Sequence, residues 1–229
     1  MRLFSYKMKN DNGFAPNPFK GFLTLANCKP GIRKTKEVGD WIAGFTSKNL
    51  NGDNVGMERL LYLMKITEKI TYCKYWTDTK YNEKKPNLES KNMEDKAGDN
   101  IYMPLFEDAR DSLDFKQIEN KNHGIDDMPK DLSGLYVLIS TRFYYFGSDP
   151  IDIDREKFNI RIPISQAPSG WKTDNAEQFI TYVENYAKNT KPIQKGIYAY
   201  PHHWERNDKT NNLVKPSQEK SKKGCSTCK

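Results

Sequence analysis

Long apolar runs are missing from this 229-residue chain. A membrane-spanning helix needs roughly 20 consecutive apolar residues, and the longest apolar blocks, around 135–140 and 142–147, are interrupted by polar groups well before that. This excludes a transmembrane helix. The opening residues, Met1-Arg2-Leu3-Phe4-Ser5-Tyr6-Lys7, carry no apolar core and no small-residue cleavage site of a secretory signal, so the expectation is a cytoplasmic protein. The usual catalytic signatures are absent too. There is no Gly-x-x-x-x-Gly-Lys-Ser/Thr loop, no Gly-x-Gly-x-x-Gly after a strand, no His-Glu-x-x-His and no Gly-x-Ser-x-Gly elbow. No His-x-Glu precedes a Pro-Cys-x-x-Cys, which removes the zinc deaminases. Nucleoside triphosphate hydrolysis, Rossmann-type redox chemistry and the common hydrolase mechanisms therefore find no support, and no cofactor is called for. No internal repeat is visible.

Aromatics, by contrast, are plentiful: 4 Trp, 13 Tyr and 11 Phe. They offset a hydrophobic content of only 36%, because each buries a large surface, and wholesale disorder would require few of them. The net charge of +7 is unevenly spread. Residues 1–36 carry +7, residues 215–229 carry +4, and the stretch between carries −4. Basic clusters near aromatics are the electrostatic footprint of phosphate-bearing partners, although lysine runs also simply solubilise a surface.

Alternation over 2–9 predicts a first strand, and the apolar run 21–26 a short buried one. Prolines 16 and 18 exclude a regular ladder between them. Gly39-Asp40 reads as a turn feeding a strand within 38–46, and 60–70 reads as a further strand. From 77 to 100 few residues are apolar, which predicts a long surface loop, and 107–128 is a second polar excursion. The strongest β signal is 135–146, rich in β-branched and aromatic residues. The strongest helix signal starts at Asp174, with Glu177 completing a capping box, Phe179, Val183, Tyr186 and Ala187 on one face, and Pro192 as the stop. Strands outnumber helices without a β–α alternation. The expected fold is α+β, around a curled, mostly antiparallel sheet or a small barrel with flanking helices. Residues 1–206 are expected to form one domain, and 207–229 a basic, mobile tail.

Cys28 lies beside Lys29 and near Arg33 and Lys34, an electropositive setting that can activate a thiol; a thiol ending an apolar strand can equally be filler. His123, His202 and His203 are the candidate bases. Cys225 and Cys228 have metal-ligand spacing that His202 and His203 could complete, but a single Cys-x-x-Cys in a lysine-rich tail is a weak signal, and the metal expectation is none. The aromatics Trp41, Tyr75, Trp76 and Tyr102 could stack on an extruded or single-stranded base while Lys29, Arg33 and Lys34 hold phosphates, or they could build the core.

Three blocks of residues occur together: Gly13-Phe14-Ala15-Pro16-Asn17-Pro18-Phe19; Thr24-Leu25-Ala26 followed by Cys28-Lys29-Pro30 and Ile32-Arg33; and Val38-Gly39-Asp40-Trp41-Ile42 with Gly44. With Ala97-Gly98-Asp99-Asn100-Ile101-Tyr102, His123 and Tyr145-Phe146-Gly147, this string resembles the second type of nucleotide modification associated domain, over most of residues 1–200. That family occurs in bacteria and their bacteriophages and is linked by genomic association to DNA base modification. The resemblance implies a shared site drawn from Cys28, Lys29, Arg33, Asp40, Trp41, Asp99, Asn100, Tyr102 and His123. Taken together with the basic and aromatic pattern above, the catalytic candidates are Cys28, His123 and Asp99, and the base- or nucleic-acid-binding ones are Lys29, Arg33, Lys34, Trp41, Tyr75, Trp76, Asn100 and Tyr102. A Val-Gly-Asp turn before an aromatic strand is also similar to PUA-like domains of the EVE and YTH type.

The expected function is binding or processing of a modified nucleotide or base, in DNA before RNA, within a bacterial or phage modification or defence system. Two alternatives stand beside it: a reader of modified bases without catalysis, and a protein-interaction scaffold in an antiviral system.

Overall fold

The computed structural model describes residues 1–165, 167–207 and 212–216. In chain order its strands are β1 (Leu3–Lys7), β2 (Leu23–Leu25), β3 (Trp41–Phe45), β4 (Leu60–Lys65), β5 (Glu68–Thr71), β6 (Tyr102–Pro104), β7 (Phe115–Gln117), β8 (Tyr136–Ser140), β9 (Arg142–Tyr145), β10 (Trp171–Thr173), β11 (Trp204–Asn207) and β12 (Asn212–Pro216). The α-helices are α1 (Pro30–Thr35), α2 (Lys48–Asn51), α3 (Tyr72–Thr77), α4 (Met93–Lys96), α5 (Met128–Leu132), α6 (Arg155–Phe158) and α7 (Glu177–Lys188). The α+β expectation holds, but the sheets are not closed into a barrel. A five-stranded sheet runs β10–β1–β3–β4–β9, with β1 and β3 parallel and the other pairs antiparallel. An antiparallel sheet of order β2–β8–β5 and two hairpins, β6–β7 and β11–β12, complete the set. Among the described residues no helix is long and apolar enough to cross a membrane.

Side chains alternate across a strand, and here the alternation feeds three separate apolar layers. Trp41, Ala43 and Phe45 of β3 face Phe179, Ile180 and Val183 of α7. Ile42, from the same strand, joins Tyr6, Tyr62 and Met64 against Leu25 and Leu138 of the smaller sheet. The far face of that sheet, Ile70, Val137 and Ile139, is covered by Tyr72, Tyr75, Tyr81, Tyr102 and Phe115. The central strands β3, β4 and β8 are therefore covered on both faces and read as apolar runs, whereas the edge strands β5 and β10 keep exposed polar residues.

Several expectations are corrected. The run 60–70 is two strands, β4 and β5, in different sheets, and 135–146 likewise divides at Thr141 into β8 and β9. The stretch 77–100 is not an open loop. It holds a 3-10 turn (Thr79–Lys84) and α4, and it buries Tyr81, Lys84, Met93, Ala97, Asp99 and Asn100. The Lys84 ammonium replaces its lost water with the Asn17 backbone oxygen at 3.0 Å, Asn17 Oδ1 at 2.7 Å and the Phe22 carbonyl at 2.8 Å. Polar composition hid this element because its buried members are lone residues fixed by hydrogen bonds. Asp174 does not cap α7. The cap position is Ala176, with no side-chain bond, and Asp174 pairs instead with Lys172 at 2.9 Å. Of the expected tail, β12 is a strand paired with β11; Cys225 and Cys228 lie outside the described residues.

Asp11 ties the segment after β1 to the chain's later part. Its carboxylate accepts from Tyr145 Oη and from the His202 amide at 2.9 Å. Burial pushes this carboxyl up to about 6, above its ordinary 3.8, against the pull of those hydrogen bonds. A folded-state pKa raised above the unfolded value means that the folded chain holds the proton more tightly between the two. Stability should therefore fall as pH rises from about 4 to about 6, by about 3 kcal/mol in all. Urea unfolding across that range checks this: Asp11→Asn should flatten the slope, and a variant with the wild-type slope would remove Asp11 as its source.

Candidate active site

The smaller sheet and its aromatic cover bring three distant residues together. Beyond β2 the chain takes up left-handed backbone at Cys28 (φ 57°) and Lys29 (φ 42°) before Pro30 starts α1. Non-glycine residues adopt this conformation at a cost of about 1–2 kcal/mol each, so it persists only where the surroundings hold it. Here they do. The Cys28 amide donates to Asp131 Oδ1 at 2.7 Å, and the Cys28 carbonyl accepts from Arg33 Nε at 2.7 Å. The bend leaves Cys28 Sγ 3.5 Å from His123 Nε2.

His123 sits in the connection after β7. Its amide donates to Asn120 Oδ1 at 2.8 Å, and its carbonyl accepts from Gln117 Nε2 at 2.7 Å. On the other side of the ring, Nδ1 lies 2.7 Å from Asp131 Oδ2, an oxygen that also accepts from Tyr102 Oη at 2.8 Å. Asp131 projects from α5 and is fully buried, and Cys28 and His123 are nearly so. With a carboxylate opposite Nδ1, that nitrogen carries the proton and Nε2 presents its lone pair to the thiol. Burial and the Asp131 charge push the Tyr102 phenol far above its ordinary range, so Tyr102 acts as a donor.

Arg33 braces this arrangement. Completely buried, it donates to the Asp131 carbonyl at 2.6 Å, to the Tyr136 carbonyl at 3.0 Å and to Tyr72 Oη, and it lies 3.8 Å from the Asp131 carboxylate. A Cβ on residue 134 would stand 2.5 Å from the Arg33 guanidinium, so Gly134 makes room for it. Tyr72 Oη closes the ring of bonds by donating to the Ala26 carbonyl at 2.5 Å. Phe14 packs edge-on against His123 with centroids 4.9 Å apart, and Asn12 donates to Asn122 Oδ1 at 2.8 Å. The segment after β1 thus covers the site.

The sequence-derived site divides accordingly. Cys28, His123 and Tyr102 meet. Asp99 does not join them: it is buried beside Thr24 Oγ1 (2.6 Å) and Tyr75 Oη (2.7 Å), with its carboxyl raised by burial. Asn100 donates to the Tyr75 carbonyl at 2.8 Å. Arg33 and Lys29 are buried, Lys29 4.8 Å over the Tyr6 ring, so neither offers its charge to an outside phosphate; Lys34 is exposed. Trp41 belongs to the α7 layer, under the Arg142 guanidinium, and half-buried Trp76 lies beneath Lys85 at 4.2 Å. These rings fill separate layers and do not form one base-stacking surface. Asp40 holds the turn before β3 and binds Arg2 through Nε at 2.7 Å. Asp131, Tyr72 and Gly134 were missed, for no motif marks them. Among the described residues no group of three His, Cys, Asp or Glu is placed to hold a metal ion.

The family model described as nucleotide modification associated domain 2 matches residues 1–208 of this chain. The chain belongs to that family. No curated protein and no solved structure matches it. The family match contains the whole Cys28–His123–Asp131 arrangement, which ties these residues to a domain whose description concerns nucleotide modification.

Proposed function

We propose that this chain is a thiol-dependent enzyme of a nucleotide modification system, acting on a nucleotide or base of DNA. The observation that supports it is the unbroken path from Cys28 Sγ through His123 to Asp131. Nucleophile, base and orienting carboxylate in hydrogen-bond sequence form the arrangement that activates a weak nucleophile. His123 Nε2 takes the thiol proton, Asp131 holds the imidazole in the required tautomer and balances the charge it gains, and Tyr102 and Arg33 hold Asp131. A reading as a base reader without catalysis draws less support, because Trp41 lies in a different layer from Tyr75 and Tyr102 and the rings share no stacking surface.

The direct test is nucleoside mass spectrometry of DNA from cells that carry the chain's native modification system, comparing wild type, Cys28→Ala and a deletion. The wild type should yield a nucleoside that both others lack. The same profile from wild type and Cys28→Ala would refute the role of the thiol.

A further inference from the structure

We infer that the segment between β1 and β2 is a strap that opens to give access to Cys28 and His123, and that residues 200–204 are the latch that holds it shut. This rests on the reading of Cys28 as a nucleophile and supplies the movement which that reading requires. Cys28 is 2% exposed, His123 5% and Asp131 0%. A thiol enclosed to that degree is inert until some wall around it moves.

Which wall moves follows from how each is fastened. Asp131 of α5, Tyr102 of β6 and Arg33 of α1 are bonded into the arrangement itself, through the Cys28 backbone and the Asp131 carboxylate. Displacing any of them dismantles it. The strap is attached differently. Its residues 9–16 form neither strand nor helix. They meet the site through Phe14, edge-on to the His123 ring at 4.9 Å, and through the Asn12–Asn122 hydrogen bond of 2.8 Å. Neither contact uses an atom that the thiol, imidazole and carboxylate use to bond one another, so the strap can lift while those three stay in place. Phe14 is itself enclosed, which makes the closed state the dominant one.

The strap's other attachments converge on residues 200–204. The Asp11 carbonyl accepts from the His203 amide at 3.0 Å, the Asp11 amide donates to His203 Nδ1 at 3.3 Å, and the Asp11 carboxylate accepts from the His202 amide at 2.9 Å. Trp204 Nε1 donates to the Asn12 carbonyl at 2.9 Å, from a ring stacked on Phe19 at 5.1 Å and on Tyr200 at 6.1 Å. Gly13, at φ 76°, lies so close to Phe19 and Pro201 that a Cβ there would stand 2.8 Å from each. Each of these bonds is modest in net worth, and together they set how rarely the strap is open.

The experiment follows iodoacetamide alkylation of Cys28 at fixed pH by peptide mass spectrometry, with half-buried Cys73 as internal reference, in wild type, Trp204→Phe and Asn12→Ala. Trp204→Phe keeps a stacked ring and removes the donor. Circular dichroism gives the global unfolding of each chain in urea. In wild type the Cys28 rate should stay nearly flat at low urea, because lifting a short strap exposes little surface, whereas a route through global unfolding rises with the full slope. Each variant should speed Cys28 by about two- to tenfold, the effect of one lost hydrogen bond, and leave Cys73 unchanged. A Cys28 rate that climbs with the global slope, or that neither variant alters, would overturn the strap. If both variants speed Cys28 while His123→Gln leaves the shape of its pH profile as in wild type, the strap stands and the nucleophile reading falls.

Discussion

Asp131→Ala should destabilise the fold by about 3–5 kcal/mol, the usual consequence of removing one partner from a buried charge pair. The carboxylate receives the Cys28 amide, His123 Nδ1 and Tyr102 Oη, and it is the anion nearest to fully buried Arg33. Without it the guanidinium is an uncompensated charge, and the left-handed backbone at Cys28 loses the acceptor that holds its amide. For a chain of this size each kcal/mol shifts the melting temperature by roughly 2–4 °C, so a fall of about 10 °C is the expected reading. Asp131→Asn is the informative companion, since it keeps the shape but places an amide donor opposite the Cys28 amide or the His123 Nδ1 proton. It should lie between wild type and Asp131→Ala. Denaturant curves placing Asp131→Ala within about 1 kcal/mol of wild type would show that this carboxylate is not the junction described.

The second large effect concerns His123. If Nε2 withdraws the thiol proton, His123→Gln should lower the Cys28-dependent formation of modified nucleoside by about 10²- to 10⁴-fold, the range a positioned general base supplies. Cys28→Ser should lose at least as much, and the double variant little more than the worse single one, because residues acting as a unit are not additive. The ring also has a packing role against Phe14, so the measurement needs a check that structure alone is not responsible. Alkylation of Cys28 across pH provides it: His123→Gln should change the shape of the profile, whereas a purely structural role would shift its height alone.

How much of this was legible depends on the residue. Cys28 stood out through its basic neighbours, yet those neighbours act differently from the expectation. Arg33 and Lys29 are interior groups that fix backbone and rings. The phosphate-holding role had rested on net charge, and charge along a chain does not say which side chains a fold encloses. His123 entered as one of three candidate bases and again through the family resemblance, 95 residues from its thiol. Asp131 carried no signal, being one acid among several in a polar stretch, and Asp99 was preferred because it stood in a recognisable string.

Local chemistry determined several features of this protein on its own. The Gly39-Asp40 turn, the strand-forming segments with their β-branched and aromatic residues, the α+β class and the presence of a family-like thiol all follow from short-range patterns. Tertiary structure alone decided which strands share a sheet, that the rings fill three separate layers, and that the thiol, imidazole and carboxylate touch. The physical reason is burial. A hydrogen bond between residues far apart in sequence, and the cost of leaving a buried charge or amide without one, exist only after the layers have closed around them.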